Sequence, residues 1–176
     1  MSRRASRRRA DRVAVSLKVP LDSALLATLV RDSHALLDAY GMPQGELSLV
    51  LCDDAFIQEL NRRWRGIATP TDVLSFAMTE SVAHAAATPG ADRLLHPNLL
   101  GDVIVSLPTA ARQAEEVGHP LAAELRVLLV HGFLHLCGYD HVEEEDAVEM
   151  RVEEAEMLAR LEVSASGLIA RAAAAG

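Results

Sequence analysis

Apolar and polar residues alternate from Val13 to Val19, the period of a strand with one face buried. Pro20 and Asp22 then open a segment in which Leu25, Leu26, Leu29, Val30 and Leu37 recur at helical spacing, ending near Gly41. Glu46 to Cys52 reads as a second strand, and Asp53 or Asp54 can cap a helix running to about Arg63, with Phe56, Ile57 and Leu60 on its buried face. Gly66 to Thr71 is a loop, Asp72 to Phe76 a third short strand, and Val103-Ile104-Val105 a fourth. Between the last two, residues 79–98 are polar or small, contain Pro89, Gly90 and Pro97, and read as a long exposed loop. Pro108 to Val117 is a short helix stopped by Gly118, and Pro120 opens a helix over Leu121 to Leu136. That helix is apolar at Leu125, Leu128, Leu129, Val130, Phe133 and Leu134, which predicts burial on most sides. Val142 to Leu161 is a last, acidic helix with Val148, Val152, Ala155 and Leu158 inward. Strands interspersed with helices predict an α+β fold: one mixed sheet of about four strands, packed by helices around the central Leu121–Leu136 segment.

The chain has 176 residues, enough for one domain with a proper core, placed at residues 13–163. Residues 1–12 form a basic arm expected to be disordered, and residues 164–176 an Ala-rich tail that frays or extends the last helix. Half of the chain is hydrophobic but only 3% is aromatic, so Leu, Val and Ala must fill the core. No apolar run approaches a membrane span and no signal-peptide pattern follows the basic arm, so a cytoplasmic location is expected. Cys52 and Cys137 sit in apolar surroundings and are expected to be reduced and buried. The arm holds six Arg and one Asp, a charge of +5, so the other residues carry −13 of the net −8. A basic arm on an acidic body fits RNA or ribosome contact and equally a solvated terminus, and it excludes broad nucleic-acid binding by the body.

The chemistry concentrates in His131-Gly132-Phe133-Leu134-His135-Leu136-Cys137-Gly138-Tyr139-Asp140-His141, which holds three of the chain's seven histidines. Residues four apart on a helix share a face, so His131 and His135 can point at one centre. Gly138 can take the left-handed conformation that ends a helix, and the reversal through Tyr139 and Asp140 lets His141 swing back. Three imidazoles so arranged suit one divalent metal, with zinc the expected ion. Cys137 is a weaker candidate for a fourth ligand. The spacing matches the zinc-protease pattern H-E-x-x-H-x-x-G-x-x-H except after the first histidine, where Gly132 replaces the Glu that serves as general base. A peptidase is therefore disfavoured.

A second constellation is Leu60-Asn61-Arg62-Arg63-Trp64-Arg65-Gly66 leading to Pro70-Thr71-Asp72-Val73-Leu74-Ser75-Phe76. Arginines at a helix end can bind phosphate or pair with the helix's last carbonyls, and spacing alone favours the latter. With these motifs and Leu100-Gly101-Asp102-Val103-Ile104-Val105-Ser106, the chain resembles the YbeY-type bacterial endoribonucleases, or rRNA maturation factors, over most of residues 13–160. The histidine segment fits that family's H-G-x-L-H-L-x-G-Y-D-H. Ala77 stands where a proline is common. The resemblance implies a zincin-like fold around a metal-bearing helix. It implies a metal-dependent endoribonuclease cutting single-stranded RNA, with a role in 16S rRNA 3′-end maturation and ribosome quality control. One Zn²⁺ per chain would be held by His131, His135 and His141, with no organic cofactor. The partners would be single-stranded RNA, chiefly rRNA, and components of the small ribosomal subunit, with no membrane. Arg65 matches the family's arginine and becomes a candidate for phosphate contact. Asp140 is a candidate proton acceptor, with capping or orienting a histidine as its plainer roles. Asp72, Ser75 and Asp102 could line the cleft or simply fix loops. Two other readings stay open: a ribosome-assembly binding factor with a structural zinc, and a metal-dependent hydrolase of another substrate.

Overall fold

A computed structural model describes residues 12–78 and 98–175. The remainder of the basic arm and the expected loop at 79–97 lie outside the described residues. The chain alternates strands and helices: β1 (Val13–Leu17), α1 (Ser23–Ala39), β2 (Glu46–Cys52), α2 (Asp54–Arg65), β3 (Val73–Ala77), β4 (Leu99–Ser106), α3 (Leu107–Val117), α4 (Leu121–Leu136), α5 (Glu144–Arg160) and α6 (Leu168–Ala175). The four strands form one sheet in the order β1-β2-β4-β3. β1, β2 and β4 are parallel, and β3 is antiparallel to β4 at one edge, so the sheet is mixed as expected.

The side chains of each strand alternate between two faces. Leu47, Leu49, Leu51, Val73, Val103 and Val105 enter the main core, where they meet α1 and α4. Cys52, Leu74 and Ile104 point the other way and join Ile57 of α2 in a smaller cluster. The metal-motif helix and the arginine-bearing helix thus lie on opposite faces of the sheet. α1 is capped by Asp22, whose carboxylate accepts N–H bonds from Ala24 and Leu25. Asp53 caps α2 through the N–H of Phe56. β4 starts four residues before the expected Val103. Gly101 sits inside it at φ +151°, where a Cβ would lie 2.1 Å from the Phe76 carbonyl oxygen, so this glycine belongs to the strand rather than breaking it.

Four expectations need correction. α5 does not bury Val148, Val152 and Ala155, which are exposed; its inward residues are Met150, Glu154, Met157 and Leu158. The helix is rotated from the reading that followed its valines because a charged residue, Glu154, occupies a core position. Phe56 is exposed, with the Lys18 ammonium over its ring, and only Ile57 of that trio is fully buried. Cys137 is half-buried rather than buried, though both cysteines are free thiols. Residues beyond Leu161 do not prolong α5: Glu162 turns at φ +58° and α6 packs back as a separate helix.

Gly132 explains the closeness of α4 to the sheet. A Cβ there would lie 2.8 Å from Val103 Cγ1, 3.0 Å from Ser75 Oγ and 3.2 Å from Val73 Cγ2. Ser75 Oγ also donates to the Gly132 carbonyl at 3.0 Å, pinning edge strand to helix. Gly132→Ala should therefore lower the unfolding free energy by about 1–3 kcal/mol through overpacking, despite alanine's better helix propensity. Urea denaturation measures this, and a stabilised variant would contradict the packing argument.

Candidate metal centre

The end of α4 is shaped by a Schellman turn. Gly138, at φ +96°, donates to the His135 carbonyl, and Tyr139 N–H reaches back to the Leu134 carbonyl. The next residues complete a hook. Asp140 Oδ1 accepts the backbone N–H of His141 at 2.7 Å, which fixes the turn presenting that histidine. The nitrogens of His131, His135 and His141 all lie within 4.8 Å of one another. His131 is buried, His135 half-buried and His141 exposed, so the site opens from the core to the surface.

The tautomers follow from the partners. His131 Nδ1 stands 2.7 Å from Glu154 Oε1, and His135 Nδ1 stands 3.0 Å from the Tyr139 carbonyl. Both partners only accept, so both Nδ1 atoms carry the proton and both Nε2 atoms present lone pairs. Those two Nε2 atoms are 3.1 Å apart. Two lone pairs at that distance repel unless a cation lies between them. Ligands at about 2.0–2.1 Å in a tetrahedral array are separated by about 3.3 Å, so the pair fits a metal. Burial, then the neighbouring His131 and His141, pull the His135 pKa down to about 4, which keeps the imidazole in the neutral form a metal requires. Cys137 is not in the group, and burial followed by Glu153 pushes its thiol up to about 12, away from the thiolate that ligates.

Glu154 is the residue that sequence reasoning missed. It is 1% exposed on α5, and besides holding His131 it accepts the Ile169 N–H at 3.0 Å through Oε2. A Cβ on Gly167 would come within 2.4 Å of that same oxygen, so a glycine is needed where the tail crosses the carboxylate. A second buried acid anchors the tail as well: Arg171 makes paired bonds of 2.9 and 3.0 Å to Glu124 of α4. The signal was present in the sequence. Met150, Glu154, Met157, Leu158 and Leu161 recur at helical spacing, an apolar stripe with one carboxylate in it.

Of the other candidates, Asp140 and Ser75 lie beside the triad, at the His141 N–H and the Gly132 carbonyl, while Arg65, Asp72 and Asp102 make no hydrogen bond to the three histidines. Arg65 ends α2, is exposed, and has no hydrogen-bond or ion-pair partner among the described residues. Asp72 is structural: Oδ1 accepts the Val73 N–H and Oδ2 the Gln113 amide. Asp102 pairs in register with Phe76 and shares the α2 face of the sheet.

A mixed sheet packed on a helix that carries His131 and His135, with His141 returned by the turn beyond it, is a scaffold whose three histidines could hold a metal ion. Residues 17–162 match the family model described as Endoribonuclease YbeY, and the chain belongs to that family. A protein named Endoribonuclease YbeY from Moorella thermoacetica is 50% identical over 143 residues, covering 80% of this chain and 88% of that one. One of the same name from Pelotomaculum thermopropionicum is 48% identical over 148 residues, covering 84% and 93%. The solution structure of TM1509 from Thermotoga maritima superposes with a TM-score of 0.58 at 25% identity, covering 85% of this chain and 88% of that one.

Glu154→Gln keeps the shape but removes the charge and places an NH₂ or a neutral carbonyl against His131 and Ile169. It should weaken metal binding about 10- to 100-fold, measured by competition with a chromophoric chelator. Wild-type affinity in that variant would show that the carboxylate only fills space.

Proposed function

We propose that this chain is a zinc-dependent endoribonuclease acting on single-stranded RNA, with the 3′ end of 16S rRNA its substrate in ribosome maturation and quality control. The observation that carries the metal reading is the pair of Nε2 lone pairs converging at 3.1 Å, each fixed by an acceptor at its own Nδ1. Zinc held by His131, His135 and His141 would supply Lewis acidity toward a phosphodiester oxygen. Three histidines with no fourth protein group among the described residues leave a position for substrate, which favours an enzyme over a binding factor with a closed structural zinc.

The chain's own groups then divide the work. Glu154 and the Tyr139 carbonyl hold two imidazoles in their metal-binding tautomer. Asp140 fixes the turn that brings in His141, and its exposed carboxylate is the nearest candidate to accept a proton. Arg65 offers an unengaged guanidinium to phosphate charge. Gly132 cannot act as a base, and the packing around it leaves no room for a glutamate. RNA changes that need, because its 2′-hydroxyl can itself attack the neighbouring phosphorus, forming a 2′,3′-cyclic phosphate as the P–O5′ bond breaks, with its proton passing to an acceptor such as Asp140 and the departing 5′ oxygen taking up a proton from water. A peptide offers no such group, which favours RNA over peptide at this site. No helix among the described residues is long and apolar enough to cross a membrane, in keeping with work on small-subunit rRNA in the cytoplasm.

Cleavage of a single-stranded RNA carrying a 16S 3′ end tests this reading. Wild-type protein should cut it, and His135→Ala should lose both metal and cleavage. Equal cleavage by the two proteins would sink the metal mechanism. Arg65→Glu should cut about 10²- to 10³-fold more slowly with its metal content intact, as measured by elemental analysis beside the kinetics. Loss of metal there would contradict its role as a phosphate contact.

A further inference from the structure

The most exposed aromatic surface lies on the other face of the sheet from the histidines. Trp64 is 62% exposed on the last turn of α2, and its ring meets Phe76 of β3 edge-on with centroids 5.9 Å apart. The Arg63 guanidinium carbon lies 5.5 Å from the indole centroid. Arg62 is engaged by Glu59, while Arg65 has no partner among the described residues. Two turns earlier on the same helix, exposed Phe56 carries the Lys18 ammonium 5.8 Å from its ring centroid. Ile67, half exposed, continues the apolar surface beyond the helix end.

The indole is packed on one side by Phe76 and Arg63 and is otherwise open to a stacking partner. The local charge points to the occupant. In a chain of net charge −8, the last turn of this helix carries three arginines beside the tryptophan, with Arg63 over its ring and Arg62 paired with Glu59. Aromatic rings flanked by guanidinium groups are the combination that binds single-stranded nucleic acid, where bases stack and phosphates pair with the cations. The topology joins the surface to the metal site. β3 is one of the two edge strands of the sheet. Its Ser75 bonds to Gly132 beside His131, and its next residue, Phe76, points to the opposite face and supports Trp64. A strand passing over that edge therefore runs from the metal helix to the indole.

We infer that Trp64, supported by Phe76 and flanked by Arg63 and Arg65, is a base-stacking platform that grips unpaired nucleotides of the RNA next to the segment being cut. This rests on the endoribonuclease reading for the identity of the ligand. It adds a binding surface outside the histidine site, and it explains a preference for single strands: paired bases have no free faces to offer.

Trp64 is the only tryptophan of the chain, so intrinsic fluorescence reports on this ring alone. Full-length protein as purified is titrated with a short single-stranded 2′-O-methyl oligoribonucleotide and with a duplex of the same length. Saturable quenching by the single strand at concentrations where the duplex has little effect is expected. Binding of a fluorescein-labelled single strand, read by anisotropy, should weaken about tenfold in Trp64→Ala and largely recover in Trp64→Phe, with metal content unchanged in both. Absence of quenching, equal quenching by the duplex, or wild-type affinity in Trp64→Ala would each overturn the platform and return the patch to a protein partner. The two readings fail separately. Metal-dependent cleavage with unaltered binding by Trp64→Ala rejects the platform and keeps the nuclease. Quenching by single strands without any cleavage keeps the platform and rejects the nuclease.

Discussion

The hydrogen bond from His131 Nδ1 to the buried carboxylate of Glu154 is the contact on which the rest of the site depends. It joins α4 to α5 and decides which nitrogen of His131 is turned toward His135. Through the second carboxylate oxygen it also reaches the backbone of α6. A buried acid is costly unless its lone pairs are used, and here an imidazole N–H and a peptide N–H use them. The rotation of α5 that exposes Val148 and Val152 follows from this placement. The helix presents the face that carries the acid rather than the face with the most valines.

The sheet sets the other boundary of the site. α4 lies so close to β3 and β4 that only a glycine fits after His131. In the protease pattern a glutamate at that position serves as general base. Here the same position is spent on close packing, with Ser75 bonded to the helix carbonyl. The loss of a built-in base and the closeness of the edge strand are therefore one structural fact. They push the chemistry toward a substrate that brings its own nucleophile.

The fold and the convergence of the three histidines were both legible in the sequence, for local reasons. Alternation and helical spacing located the four strands and the helices as far as α5, because one side of each faces a core, but not α6. The i, i+4 histidines and Gly138 predicted the hook at the end of α4, because Schellman geometry is written in a few adjacent residues. What stayed hidden was tertiary. Glu154 lies 23 residues from His131, and its acidic neighbours on α5 make it read as one more solvated carboxylate. Phe56 and Trp64 carry the opposite lesson: hydrophobicity predicts burial, yet both rings stand in solvent beside a cation. The tail seemed featureless because Gly167 and the Ile169 N–H acquire meaning only beside a carboxylate from another helix.

These contacts also link metal binding to folding. The two Nε2 atoms converge at 3.1 Å, and the Glu154 carboxylate is buried behind the His131 imidazole. Converging lone pairs repel, and a buried carboxylate gains further from a positive charge close by. A divalent ion held by His131, His135 and His141 would answer both, and the polarised His131 would be a stronger donor to Glu154. Because such a site is assembled only in the folded chain, free energy of metal binding becomes free energy of folding. It would act on α4, on α5 and, through the Ile169 N–H, on the α6 segment that lies beyond the family's matched residues.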